Sequence, residues 1–282
     1  MKTYCVSVGK PEQGCINEDA AVARKNLIAV SDGAGGGGLF AERWSAYLLE
    51  HLPDTPILSA NELDAWVGGI WELYYNQCEQ DAIRMGGMAL DKFYDEGSFA
   101  TLVVVWNLSE TECRWMEFGD SVAFHYNYRT KTLKHGFGTL PDFDRPPYLI
   151  NCKDELITAG FRSGVFDADE DSVVFVASDA LAHYVMMMYE LSRKEEYLDE
   201  LANAGSSRSK NENYIKAAKE MGDIDFEKEV ICMLCNAAIN KASFQLYVND
   251  LTKKGLMACD DCSVAIMNFG KTCRQPEFVR EV

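Results

Sequence analysis

Between Ser98 and about Thr132 the sequence offers three apolar strand-like runs in close succession: Thr101 to Trp106, Cys113 to Phe118 and Val122 to Tyr128. Links this short suit strands joined by tight turns, so the three runs are expected to form a meander. Tyr4 to Val8, Leu27 to Val30, Glu155 to Ala159, Ser172 to Ala177 and Val264 to Phe269 read as further strands. Leu39 to Leu52 has helical spacing, and Asn61 is placed to cap a second helix that runs to Gly86-Gly87. Pro141 to Pro147 reads as loop, and Ala180 to Leu251 as mostly helix with a polar break from Ala204 to Lys210. Two clusters of helices with antiparallel strands between them predict an α+β chain, helices flanking a sheet sandwich, not a doubly wound parallel sheet. The 282 residues contain no repeat and no long linker, so one domain is expected, with an enlarged helical segment at about 180–251.

Composition narrows the function classes. A net charge of −17, from 44 acidic and 27 basic residues, disfavours nucleic acid and anionic membrane as partners. No apolar stretch approaches the length of a spanning helix, and the first residues lack the apolar core of a signal peptide. Ten cysteines in such a chain are read as reduced thiols, which points to the cytoplasm.

The chemistry is carried by where the acids sit. Asp32 closes the apolar run Leu27 to Val30 and enters Gly33-Ala34-Gly35-Gly36-Gly37-Gly38. Asp120 lies in the link after Cys113 to Phe118, Asp179 follows Ser172 to Ala177, and Asp260-Asp261 precedes the last strand. A single acid at a strand end is ordinarily a turn residue bonding its own backbone. Four at strand ends of one sheet protein could instead gather on one rim. Gathered carboxylates repel one another unless protonated or neutralised by cations. An all-oxygen donor set selects Mn²⁺ or Mg²⁺ rather than zinc. Two such ions ~4 Å apart would hold a bridging hydroxide for attack on phosphorus and would clamp a phosphoryl oxygen. Glycine at position 33 would let the backbone approach an ion closely.

In order along the chain, these segments resemble the PPM family of metal-dependent protein phosphatases (type 2C). The matching motifs are Asn17-Glu18-Asp19, Ser31-Asp32-Gly33-Ala34-Gly35-Gly36, Gly97 to Thr101, Gly119-Asp120-Ser121, Ser178-Asp179-Ala180-Leu181 and Asp260-Asp261-Cys262-Ser263. The resemblance implies a four-layer α/β/β/α sandwich, two antiparallel sheets flanked by helices. It further implies a binuclear Mn²⁺/Mg²⁺ centre, with room for a third ion, that hydrolyses phosphoserine and phosphothreonine in proteins phosphorylated by a cognate kinase. By position, Asp32, Asp179 and Asp260 would ligate metal and Gly33 would do so through its carbonyl. Glu18 and Asp19 would sit at or behind the ions, and Asp120 would serve the third. Three positions depart from the pattern: Gly14 stands where a phosphate-binding Arg is common, Ala180 where Gly is, and Val122 where Arg often follows Gly-Asp-Ser. Lys10 and Arg43 are the candidates to replace the missing phosphate-binding cation. A pseudophosphatase that binds or scaffolds a phosphoprotein is the alternative.

Two other motifs compete. Gly33 to Gly38 satisfies a dinucleotide fingerprint, but Pro53-Asp54-Thr55-Pro56 and another helix follow where a parallel strand is required. Cys232-x-x-Cys235 with Cys259-x-x-Cys262 imitates a four-thiolate zinc site, against the plainer reading of small apolar fillers. Met186-Met187-Met188 reads as core or groove lining, and the four histidines show no metal-ligand spacing.

Overall fold

The computed structural model of the protein describes residues 1–11, 15–204 and 212–270. Strands β1 (Lys2–Val8), β2 (Ala20–Arg24) and β3 (Leu27–Ser31) precede helices α1 (Ala41–Glu50), α2 (Ala60–Met85) and α3 (Met88–Glu96). The middle of the chain holds β4 (Phe99–Ala100), β5 (Leu102–Asn107), β6 (Glu112–Phe118), β7 (Val122–Asn127) and β8 (Thr132–His135). A 3₁₀ turn at Leu140–Asp144 is followed by β9 (Ile150–Asn151), β10 (Phe161–Asp167) and β11 (Ser172–Ala177). Helices α4 (Asp179–Ser192), α5 (Leu198–Ala204), α6 (Glu212–Glu220), α7 (Met233–Ala237) and α8 (Lys241–Lys253) lead to the last strand, β12 (Cys262–Asn268). Among the described residues no helix is long and apolar enough to cross a membrane.

Two five-stranded sheets form, in the orders β1-β12-β11-β7-β8 and β10-β6-β5-β3-β2, and every pairing is antiparallel. The strands read as continuous apolar runs because both faces of each sheet are covered. In β11, Val174 and Val176 point between the sheets, whereas Val173, Phe175 and Ala177 pack under α4 and α8. In β5, Val103 and Val105 point between the sheets, and Leu102, Val104 and Trp106 face the layer of α1 and α2. The result is the α/β/β/α sandwich expected from the motifs, and the parallel strand needed for a dinucleotide fold is absent from both sheets.

The structure corrects several local readings. Thr101 to Tyr128 is not one meander, because β5 and β6 pair while β7 belongs to the opposite sheet. The chain crosses over at Gly119, whose φ of 105° suits glycine and whose absent Cβ would lie 2.7 Å from the Thr101 side chain. Glu155 to Ala159 is no strand; the strand is β10, beginning at Phe161. The second helix is capped by Ser59, not Asn61, with Ser59 Oγ accepting the Glu62 N–H at 3.2 Å. The first long helix starts at Ala41, after Phe40 in the left-handed region at φ 59°. The sequence reading also missed β2, β8 and α3. The polar break after Ala204 is mostly outside the described residues.

Candidate metal centre

Asp32 is held where β3 runs out. Its N–H donates to Thr101 Oγ1 at 3.1 Å, its carbonyl accepts the Thr101 N–H at 2.8 Å, and Ser31 Oγ donates to the Thr101 carbonyl at 2.6 Å. Thr101 Oγ1 also meets Ser121 Oγ at 2.7 Å. One threonine therefore ties the Asp32 strand end to the Asp120 crossover. The Asp120 crossover is held from outside as well, by Arg162 Nη2 donating to the Gly119 carbonyl at 2.6 Å.

Asp179 opens α4, and its Oδ1 accepts the Ala180 N–H at 2.5 Å. Ser178 and Ser263 bond reciprocally, N–H to carbonyl at 3.1 Å and N–H to hydroxyl at 2.9 Å, which joins the start of α4 to the start of β12. Asp261 reaches the other way. Its carboxylate accepts the N–H groups of Lys10 and Glu18, each at 2.8 Å. Gly33 donates its N–H to the Glu18 carbonyl at 3.2 Å and forms a bridge with Ala100. A side chain cannot replace Gly33, where a Cβ would sit 2.6 Å from the Glu18 carbonyl oxygen, and one on Gly35 would displace the Glu18 carboxylate.

These ties bring Glu18, Asp32, Asp120, Asp179 and Asp260 onto the wall of one open cleft of about 430 Å³, together with Gly33 and Lys10. Asp19 lies behind them, 7% exposed, with no hydrogen-bond partner for either carboxylate oxygen. The Ser178 and Ser263 hydroxyls and Asp32 surround it. Burial, then the charges of Asp19, Asp179 and Asp120, holds the Asp32 carboxyl well above the usual carboxylate range. Asp179 is raised in the same way, by burial and then by Asp120, Asp260 and Asp19. Burial is also the main cause that pushes Asp120 up to about 6 and Asp19 to about 7. Carboxylates so raised are stabilised by neighbouring positive charge. The orphaned Asp19 oxygens beside Asp32, and a donor set made only of oxygen, fit a hard divalent cation. Among the described residues no three His, Cys, Asp or Glu side chains already enclose a single ion site.

The two candidate phosphate-binding cations part company. Lys10 lines the cleft, its Nζ 3.6 Å from Asp260 Oδ1. Arg43 is not among the cleft residues; its guanidinium pairs with Asp81 at 2.7 Å and lies over the Phe40 ring. Gly14 lies outside the described residues. Val122 on β7 and Ala180 in the first turn of α4, the other departures, are buried in one core. Cys235 and Cys262 are buried in that same core, while Cys259 is exposed.

Sequence reading missed the tethering role of Asp261, the Thr101–Ser121 link and the lining contributed by Phe143, Asp144 and Arg145. Only Asp261 left a signal, as the second acid of a pair. Nothing in a polar loop announces that it folds over a cleft formed by residues far away in the chain.

Bacterial serine/threonine phosphatases share this fold. The Mycobacterium tuberculosis serine/threonine phosphatase PstP/Ppp matches with a TM-score of 0.53 and 14% identity, over 96% of this chain and 99% of its own. The catalytic domain of the serine/threonine protein phosphatase PstP in complex with two manganese ions matches at 0.50 and 17% identity, over 94% of this chain and 96% of its own. The serine/threonine phosphatase Stp1 from Staphylococcus aureus matches at 0.50 and 14% identity, over 94% of each chain. At these identities the likeness is one of fold. No protein-family model matches the chain, and no curated protein matches it.

Proposed function

We propose that this chain is a PPM-type phosphomonoester hydrolase, dependent on Mn²⁺ or Mg²⁺, that acts on phosphoserine and phosphothreonine in proteins. The observation that carries this reading is the arrival of Glu18, Asp32, Asp120, Asp179 and Asp260, from five separate segments, on one cleft. The fold shared with bacterial serine/threonine phosphatases and the ordered motifs support it.

In this reading Asp32, Asp179 and Asp260 hold the ions, with the Gly33 carbonyl and Glu18 beside them, Asp19 behind Asp32, and Asp120 at an accessory position. Bound Mn²⁺ or Mg²⁺ would supply an activated water and neutralise charge on the phosphoryl oxygens. The chain's own residues keep the carboxylates in place: Thr101 fixes the backbone of Asp32, Asp261 fixes that of Glu18, and the Ser178–Ser263 pair sets Asp179 against Asp260. Lys10 adds a cation at the edge of the acidic wall. Exposed thiols at Cys5 and Cys259 suit a reducing compartment, so the reading extends to a cytoplasmic phosphoprotein and the kinase that makes it.

Hydrolysis of an aryl phosphate with Mn²⁺, with and without chelator, tests the proposal on wild type and Asp32→Ala. Turnover should need the metal and fall at least ~100-fold in the variant. A folded wild-type protein without Mn²⁺-dependent turnover would overturn the enzyme reading in favour of a phosphoprotein-binding module, the role open to a chain with Gly14 where phosphate-binding Arg is common.

A further inference from the structure

Apart from Lys10 and Arg145, every charged side chain on the cleft wall is acidic. A phosphomonoester dianion entering it needs cationic hydrogen-bond donors that are not already committed. Lys10 stands 3.6 Å from Asp260, a proposed metal ligand, and is only 27% exposed. Arg145 is more exposed, and its acidic partner is not one of the proposed metal ligands. Its side chain is 77% exposed, and it gives one nitrogen, Nη1, to Asp142 Oδ1 at 3.0 Å. Exposed pairs of this kind are weak, and a guanidinium carries five N–H donors in a fork that matches two phosphoryl oxygens at once.

The turn that presents Arg145 is stiff. Asp142 Oδ2 accepts both the N–H and the hydroxyl of Thr139, at 2.8 and 2.9 Å, and Pro141 opens the 3₁₀ turn. Arg145 returns its own N–H to the Asp142 carbonyl at 3.2 Å. Pro146 follows it, restricting its backbone to the extended region it occupies, φ −94° and ψ 146°. Beneath the turn Leu140 is fully buried, and Phe143 packs on Phe137 at 4.3 Å and on His183 at 5.4 Å between ring centroids. The backbone that carries the guanidinium is thus already in place, and only the side-chain rotamers remain to be ordered when it takes a ligand.

We propose that Arg145 is the residue that receives the substrate's phosphoryl oxygens, from the turn over the cleft, in a chain that has glycine at position 14. The assignment rests on the phosphatase reading for its substrate, and it predicts a preference for the phosphomonoester group itself over the peptide around it.

The test uses the full chain loaded with Mn²⁺, comparing wild type, Arg145→Ala and Arg145→Lys, with Arg43→Ala as the off-cleft control. Kinetics with p-nitrophenyl phosphate and with a phosphothreonine peptide are set beside calorimetric titration with inorganic phosphate. Arg145→Ala should raise KM about tenfold for both substrates, with kcat within about twofold, and weaken inorganic phosphate binding by a similar factor. Arg145→Lys should recover part of the loss and Arg43→Ala should match wild type. A KM change confined to the peptide would make Arg145 a reader of the peptide and overturn the proposal, as would unchanged phosphate binding in Arg145→Ala. If wild type turns over neither substrate, the phosphatase reading fails by itself; phosphate binding that still depends on Arg145 would uphold the assignment, and its absence would end it.

Discussion

Asp261 accepts the backbone N–H of Glu18 at 2.8 Å, joining residues 243 positions apart in the chain. The other oxygen of the same carboxylate takes the Lys10 N–H. Neither contact involves a side chain proposed to hold metal, yet both decide where such side chains stand. Asp261→Ala would leave two N–H groups without their charged acceptor. We expect a loss of about 2–3 kcal/mol in stability and a tenfold or greater weakening of Mn²⁺ binding. Denaturant melts and metal titration check the two parts, and an unchanged metal affinity would reduce Asp261 to a fold residue.

Thr101 is the second such tie. Thr101→Val keeps the shape but removes the oxygen that accepts from Asp32 and meets Ser121. Stability should fall by about 1–3 kcal/mol. Turnover should fall about tenfold or more, through displacement of Asp32 and Asp120. Ser at this position keeps the oxygen and should restore most of the activity; if Ser is as poor as Val, the hydroxyl is not what matters.

Gly33→Ala places a methyl 2.6 Å from the Glu18 carbonyl oxygen and 2.7 Å from that of Ala41, both backbone atoms of packed segments. Overpacking of this kind costs about 3 kcal/mol. The melting temperature should fall by several degrees, whereas Gly36→Ala, whose added Cβ meets nothing within 4 Å, should leave it unchanged.

Away from the cleft, Glu190 on α4 is 5% exposed and its Oε2 has no hydrogen-bond partner. Burial, then the charge of Glu200, pushes its carboxyl up from the ordinary 4.5 to about 7. The folded chain thus keeps a proton that the unfolded chain releases. Stability tied to that proton is whole below about pH 4.5 and is lost as pH rises through about 7. Glu190→Gln removes the dependence, so the variant should gain on wild type between pH 5 and 8 in paired thermal melts. A stability difference that is flat with pH would refute the assignment.

The acids could be read from sequence because each closes or opens an apolar run, and a strand end is a local pattern. Asp32 after Leu27–Val30 and Asp179 after Ser172–Ala177 needed no tertiary information. The partition of strands between sheets was not legible, since β5 and β7 are buried along nearly their whole length and neither marks which sheet it joins. β2 was missed because all five of its residues are half-buried and no alternation marks it. Arg145 was invisible for a different reason. The turn that carries it shares its cleft with residues as far apart in the chain as Lys10 and Asp260.

The sheet order β1-β12-β11 has a consequence for the completeness of the centre. Among the described residues β1 is hydrogen-bonded to its sheet only through β12, which lies more than 250 positions later in the chain. A nascent chain extending no further than α8 owns Asp32, Asp120 and Asp179 but has neither Asp260 nor the Asp261 clasp on Glu18. The pairing of β12 with β1 and β11 therefore also brings Asp260 and the Asp261 clasp to the other acids.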